Sequence, residues 1–285
     1  RQKMVTKRSS RWVTCSRARL GPKTLTGDQK SDMKKPDSRS YRAQGVVLRH
    51  MEYGEADRIL TLYTLEYGKV QAIAKGIRKL RSRKAGHLEP FSRVELLLAK
   101  GHSLDVISQA EAQNTCENLR ADLKLIAYGA YVVELLDRFT YEEGENRQLF
   151  NLLVDTLTRL DQGAPAQTAV HYYEVQLMDL LGFRPQLQSC AACGEKIKPE
   201  DQYFSAKLGG VLCPNSLSAD PTAWKVSLGT LKYMRHLQRN PWSKLKDLEI
   251  PREVEPELAS LLEKYLTYLL EYGLRTPGFL KAVSQ

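Results

Sequence analysis

Long apolar runs are missing from this 285-residue sequence. No window approaches the 18 or more consecutive apolar residues of a membrane-spanning helix, and no signal-peptide core is present, so a membrane partner is not expected. Cysteine is scarce and odd in number, five in all, which argues against a disulfide framework and for a reducing cytoplasm. Catalytic signatures are missing as well. There is no GxxxxGK[ST] loop to cradle a triphosphate, no G-x-S-x-G, and no H-E-x-x-H among His50, His87, His102, His171 and His236. The acidic group Glu142, Glu143 and Glu145 reads as a solvated turn and helix start rather than a metal site. These absences favour a binding protein over an enzyme.

Acidic charge is absent from one stretch in particular. Lys75-Gly-Ile-Arg-Lys-Leu-Arg-Ser-Arg-Lys84 holds six Lys or Arg in ten residues and no Asp or Glu. It joins two strand-like runs, Val70–Ala74 and Arg93–Ala99. A helix with this composition would repel itself and a strand would bury part of it. A mobile loop can lay its charges along a phosphate backbone, whereas the plain alternative is a solvated connection. The flanking strands and the Gly76 and Gly86 hinges favour nucleic acid. The formal net charge of +10 adds little, because residues 1–40 carry 12 Lys or Arg against 3 Asp or Glu, and the rest of the chain is nearly balanced.

Residues 1–40 lack any hydrophobic period and read as a disordered basic tail. Met33 suits an initiator, so residues 1–32 are expected not to be native; a basic DNA-binding arm is the alternative. Residues 41–113 form the first domain. Gly45–Leu48 is a short strand. Asp57–Leu65 alternates, with Leu60, Leu62 and Thr64 on one face and Ile59, Thr61 and Tyr63 on the other. Glu66–Lys69 turns the chain into Val70–Ala74, and Gly101-His102-Ser103 turns it again into Leu104–Glu111. Five short strands with one long basic connection suggest a small closed barrel of oligonucleotide-binding (OB) type.

Near Cys116 the period changes from 2 to 3.6, and residues 114–285 read as a helical domain. Leu119, Leu123, Ile126, Ala130 and Val133 place one long helix as far as Phe139. Further stripes run through 149–160, 170–180 (ended by Gly182), 228–237 and 258–269. The expected fold class is therefore α+β, an N-terminal five-stranded OB-type barrel followed by an all-helical domain with a small insertion at about 188–222. That insertion holds Cys190-Ala-Ala-Cys193 and Cys213, spaced as in a zinc ribbon, with Tyr203-Phe204 and Gly209–Leu212 as its hairpin. The fourth thiolate is missing, because its place falls on Ser216. Asp220 or His236 would have to complete a Zn²⁺ site, but neither has the spacing; the alternative is a metal-free knuckle. No cofactor is required by anything else in the chain.

Several short motifs follow one another in a fixed order: Glu55-Ala-Asp-Arg-Ile59, Tyr67-Gly-Lys69, Ala74-Lys-Gly-Ile-Arg-Lys79, Leu88-Glu-Pro-Phe91, Tyr172-Tyr-Glu174 and Leu180-Leu-Gly-Phe-Arg-Pro185, then the cysteine module. Over about 41–275 the chain resembles the bacterial RecO family of DNA repair proteins. The resemblance implies a non-enzymatic recombination mediator that binds single- and double-stranded DNA and anneals complementary strands. It also implies help for RecA in replacing single-strand-binding protein (SSB), with RecR and the acidic SSB C-terminal tail as partners. Ser216 departs from the metal-binding members. On this reading Lys75, Arg78, Lys79, Arg81, Arg83 and Lys84 would hold phosphates, backed by Arg42, Arg93 and Lys100. Tyr53, Tyr63, Tyr67 and Phe91 are the aromatics nearby, with Tyr63 the best stacking candidate if its strand face is the open one and a half-buried barrel tyrosine as the alternative. Arg120, Lys124, Arg138 and Arg147 are candidates for the SSB tail, with plain surface solvation as the alternative for each. An OB-type RNA-binding or translation-associated protein is the second reading, and an enzyme with a zinc-supported site the third.

Overall fold

The computed structural model describes residues 39–140, 144–271 and 273–284. The expectations for residues 1–38, and for Glu142 and Glu143, lie outside the described residues.

Five strands come first: β1 (Ser40–Tyr53), β2 (Asp57–Thr64), β3 (Gly68–Ala74), β4 (Arg93–Ala99) and β5 (Asp105–Asn114). They close into a barrel in the order β1-β2-β3-β5-β4, an OB-type arrangement. Closure between β3 and β5 is a short parallel pairing, Ala72 to Asp105 and Ile73 to Val106. The alternation read in β2 holds: Leu60, Leu62 and Thr64 are fully buried. Leu60 and Leu62 pack in the barrel core against Ala43, Ala72, Ala74 and Leu96. Small residues opposite large ones let so narrow a barrel fill without voids. A bulge in β1 between Val47 and Arg49 bends that strand and shifts its register against β2.

The helical region begins with α1 (Glu117–Ala121) and α2 (Leu123–Phe139), followed by α3 (Arg147–Asp161) and α4 (Ala166–Leu180). A single helix was expected from Cys116 to Phe139, but the chain breaks at Asp122. That residue is extended (φ −112°, ψ 122°), and its carboxylate accepts from the Lys124 and Leu125 amides at 2.7 and 3.1 Å. An aspartate side chain offers the backbone this alternative to helix continuation. Gly182 ends α4 at φ +81°, with the Phe183 amide returning to Met178 O at 2.7 Å. The insertion forms a three-stranded sheet, order β7-β6-β8, from β6 (Gln202–Ser205), β7 (Gly210–Leu212) and β8 (Trp224–Val226). The chain finishes with α5 (Leu228–Arg239), α6 (Glu255–Leu270) and α7 (Thr276–Ser284).

One apolar cluster unites the helices and the small sheet, and it reaches across to Val46, Leu48 and Tyr63 of the barrel. The helices thus cover part of the barrel's outer wall. At the edge of that contact Lys69 Nζ donates to Asp137 Oδ1 (3.0 Å) and to Asp137 O (2.7 Å), and Arg49 Nε donates to Asp137 Oδ2 (3.1 Å). Burial opposes the charge on Asp137, but these donors outweigh it and hold the carboxyl below its usual pKa.

Candidate nucleic-acid interface

The basic connection leaves β3 at Lys75 and is anchored to the barrel near both ends. Ile77 and Leu88 insert into the barrel core and are buried. Gly76 adopts φ +65°, a value glycine takes without steric cost, and its amide donates to Asp57 Oδ1 at 2.7 Å. The Arg78 amide donates to Ala56 O at 3.0 Å, and beyond Leu88 the Phe91 amide donates to Val47 O at 2.9 Å. Only the crest between Ile77 and Lys84 stands out from the barrel end. The apolar Ile77 and Leu88 at either side of the charges are what a reading of charge alone overlooks.

The structure sorts the predicted cations. Lys75, Lys79, Arg81 and Arg83 are exposed and have no acidic partner among the described residues. Arg78 pairs with Glu52 at 3.3 Å. Lys84 turns inward: its Nζ donates to Ile107 O at 2.9 Å, and burial lowers its pKa. It pins the loop to β5, which corrects its expected place among the phosphate contacts. Arg93 is half-buried, its Nη2 donating to Gln44 Oε1 at 3.3 Å. Arg42 lies exposed on the β1–β4 side, where it pairs with Leu97 in register, and Lys100 is exposed just after β4. In the helical domain Arg138 pairs with Glu134 at 3.8 Å and Arg147 with Glu145 at 3.9 Å.

Tyr63 requires a correction. Its ring is 1% exposed and sits in the cluster beneath the helices, and burial pushes its hydroxyl pKa up to about 12. It cannot serve as a stacking platform there. Phe91 is buried in the same cluster. The outward face of β2 does exist as read from the sequence; the helical domain covers the half that carries Tyr63.

The other half of that face stays open. Strand register places Met51 beside Ile59, Ile59 beside Ile73, and Ile73 beside Val106, one cross-strand row over β1, β2, β3 and β5. Met51 is 51% exposed and the other three are half-buried. One step nearer the tip of the β1–β2 hairpin, Tyr53 pairs with Asp57 and is 53% exposed. Lys75 follows β3 on the same side of the loop junction. The acids around the tip are partly answered, Glu52 by Arg78 and Asp57 by the Gly76 amide; Glu55 has no ion pair among the described residues.

The cysteine module is a second candidate site. The Sγ atoms of Cys190, Cys193 and Cys213 lie within 4.8 Å of one another, with Cys193 to Cys213 at 3.8 Å. Four thiolates about a tetrahedral Zn²⁺ at ~2.3 Å would stand roughly 3.8 Å apart, so the trio fits the metal. Ser216 Oγ is 3.2 Å from Cys213 Sγ, at the place a fourth ligand would take. The alternatives to it fail: Asp220 is engaged by Ser205 and Thr222, and the His236 ring contacts Asn240. The turn is built by backbone bonds, Gly194 N to Cys190 O at 2.9 Å and Cys190 N to Glu195 O at 2.7 Å. Burial works against a Cys190 thiolate, but the amides of Cys193 and Cys213 and the Ser216 hydroxyl lower its pKa. Amides arranged this way suit a thiolate at Cys190.

Two family models match the chain. Recombination protein O N terminal covers residues 38–116, and Recombination protein O C terminal covers residues 120–277. A DNA repair protein RecO from Roseiflexus sp. is 40% identical over 247 residues, 87% of each chain. One from Pelotomaculum thermopropionicum is 37% identical over 86% of this chain and 95% of its own. One from Dehalococcoides mccartyi is 34% identical over 81% and 91%.

Proposed function

Since this chain belongs to the recombination protein O family, which serves DNA repair and recombination, we propose that it binds DNA through its barrel and acts as a recombination mediator. The observation that carries the proposal is the crest of the basic loop. Lys75, Lys79, Arg81 and Arg83 stand exposed, without acidic partners among the described residues, at the end of an OB-type barrel. Exposed cations on an anchored loop neutralise phosphates and release their counterions, which drives binding without regard to sequence. Such a surface accepts single and double strands alike and can screen two complementary strands from each other, so annealing follows without nucleotide. The partners proposed with it are RecR, the acidic C-terminal tail of SSB, and through them RecA; the chain works in the cytoplasm, at the nucleoid, as a non-enzymatic factor. Among the described residues no helix is long and apolar enough to cross a membrane.

Zinc belongs to the same proposal. Cys190, Cys193 and Cys213 would hold it, with Ser216 at the fourth position, and the metal would brace the small sheet rather than react. The test of the main reading is an affinity comparison of single-stranded DNA, duplex DNA and matched RNA. Tight, sequence-indifferent binding to both DNAs supports it. A marked preference for RNA would transfer the chain's role to RNA, and no binding to any of them would end the proposal.

A further inference from the structure

The basic crest accounts for phosphate contacts, and phosphates are the same on single and double strands. The open wall beside it has a different chemistry. Met51, Ile59, Ile73 and Val106 make one apolar row across four strands, Tyr53 stands at its hairpin end, and both Met51 and Tyr53 are half exposed. Elsewhere on the outer wall Tyr63, Val46 and Leu48 lie under helices, and the exposed positions of β4 and β5 are Glu95, Ser108, Gln109, Glu111 and Gln113, all polar, so an open apolar row is not a general property of the barrel. An apolar row left open in this way loses free energy to water unless something covers it.

We infer that this row is the base-contacting surface of the protein, with Tyr53 as the stacking platform for an unpaired base. The inference rests on the DNA-binding reading above and names the part of the site that separates single strands from duplex. Charge selects the occupant. Lys75 lies two residues after Ile73, and beyond it Lys79, Arg81 and Arg83 have no acidic partner among the described residues. Of the acids at the hairpin tip, Glu52 is bound to Arg78 and Asp57 to the Gly76 amide, which leaves Glu55 outnumbered by the cations. A strand whose backbone follows the cations would turn its bases onto the apolar row. Every base has a π-face, so an aromatic ring receives any of them. A duplex keeps its bases stacked on one another and offers the row only its phosphates.

The full-length chain tests this with an oligo(dT) single strand and with a duplex, each titrated over a range of salt concentrations. Tyr53→Ala should weaken oligo(dT) binding between about fivefold and a hundredfold at every salt concentration, the range that loss of one stacked base gives. The dependence of log K on log[salt] should keep its slope, because no phosphate contact is lost. Tyr53→Phe should retain the affinity, and duplex binding should be indifferent to both changes. The circular dichroism spectrum should not move, since the ring is 53% exposed. Unchanged oligo(dT) affinity in Tyr53→Ala would overturn the inference and leave the phosphate reading standing, and so would an equal loss on duplex. A wild-type chain that self-associates through this face, read as a sedimentation change in Tyr53→Ala, would assign the row to a second copy and overturn it too. If the wild-type chain binds neither nucleic acid, the functional proposal falls first and this inference with it.

Discussion

Two side chains hold testable chemistry of their own. His171 is buried in the helical core, its Nδ1 2.6 Å from Glu174 Oε2 and its Nε2 3.8 Å from Glu255 Oε1, while the Tyr131 hydroxyl donates to the other Glu174 oxygen. Burial alone would lower its pKa, but the two carboxylates outweigh that and raise it from 6.5 to about 9. A raised pKa means that the folded state holds the proton more tightly than the unfolded one. The resulting stabilisation is complete below about pH 6.5 and is lost as pH rises through about 9. Denaturant unfolding should show a decline on the order of 3 kcal/mol over that window, at 1.36 kcal/mol per pKa unit. His171→Gln should be less stable at neutral pH and flat across the window; a wild-type curve that is already flat there would contradict the assignment. Ser216 makes the second case. A neutral hydroxyl is a weak Zn²⁺ ligand beside three thiolates. Ser216→Cys should retain zinc through a chelator dialysis that strips the wild-type chain, and its Co²⁺ derivative should show stronger thiolate charge-transfer absorption. A wild-type chain that keeps one zinc through the same dialysis would show that Ser216, or another group, already completes the site.

Among elements, the basic loop shows what the sequence made legible and what it did not. Its charge was plain from composition, and so was its place between strands. Its anchorage was not, because Ile77 and Leu88 fill the barrel core through tertiary packing that no local pattern announces. The same blindness put Tyr63 on an open face: period 2 says that Tyr63 and Ile59 point away from Leu60 and Leu62, but not which half of the outer wall a second domain will cover. Local signals succeeded where the cause is local, as at Gly182, and were outvoted where a side chain caps the backbone, as at Asp122. The sorting of cations changes what a loop variant should do. Replacing Lys75, Lys79, Arg81 and Arg83 with Ala should flatten the slope of log K against log[salt] for single-stranded DNA by up to ~2.8, about 0.7 per contact. Lys84→Ala should instead cost stability, because it frees a half-buried tie to Ile107 O. The pair of results separates contact from anchorage: an unchanged slope in the quadruple variant would return the loop to a solvated connection.

For the whole molecule, the arrangement of surfaces bears on how two strands could meet. The barrel offers an open apolar wall and a basic crest at one end. The helices cover the patch around Val46, Leu48 and Tyr63, and the exposed positions of β4 and β5 are polar, among them Glu95, Gln109 and Glu111, so the surface proposed to face DNA is small and one-sided. The sequence carries no GxxxxGK[ST] loop, so the annealing proposed above is expected to draw on charge screening and base pairing. The expected behaviour follows from that balance. Complementary strands carry like charge and repel; cations bound along one strand lower the barrier to the second, most strongly at low ionic strength where screening by salt is weakest. The chain should therefore accelerate annealing equally with and without ATP, and the acceleration should fade as salt rises. The quadruple loop variant should lose most of it, because its slope of affinity against salt has flattened, while Tyr53→Ala should lose the part that depends on holding unpaired bases. Strand annealing followed by fluorescence quenching measures all of these in one format. A strict requirement for ATP would contradict the reading of the sequence motifs, and no acceleration by the wild-type chain would remove annealing from its proposed role.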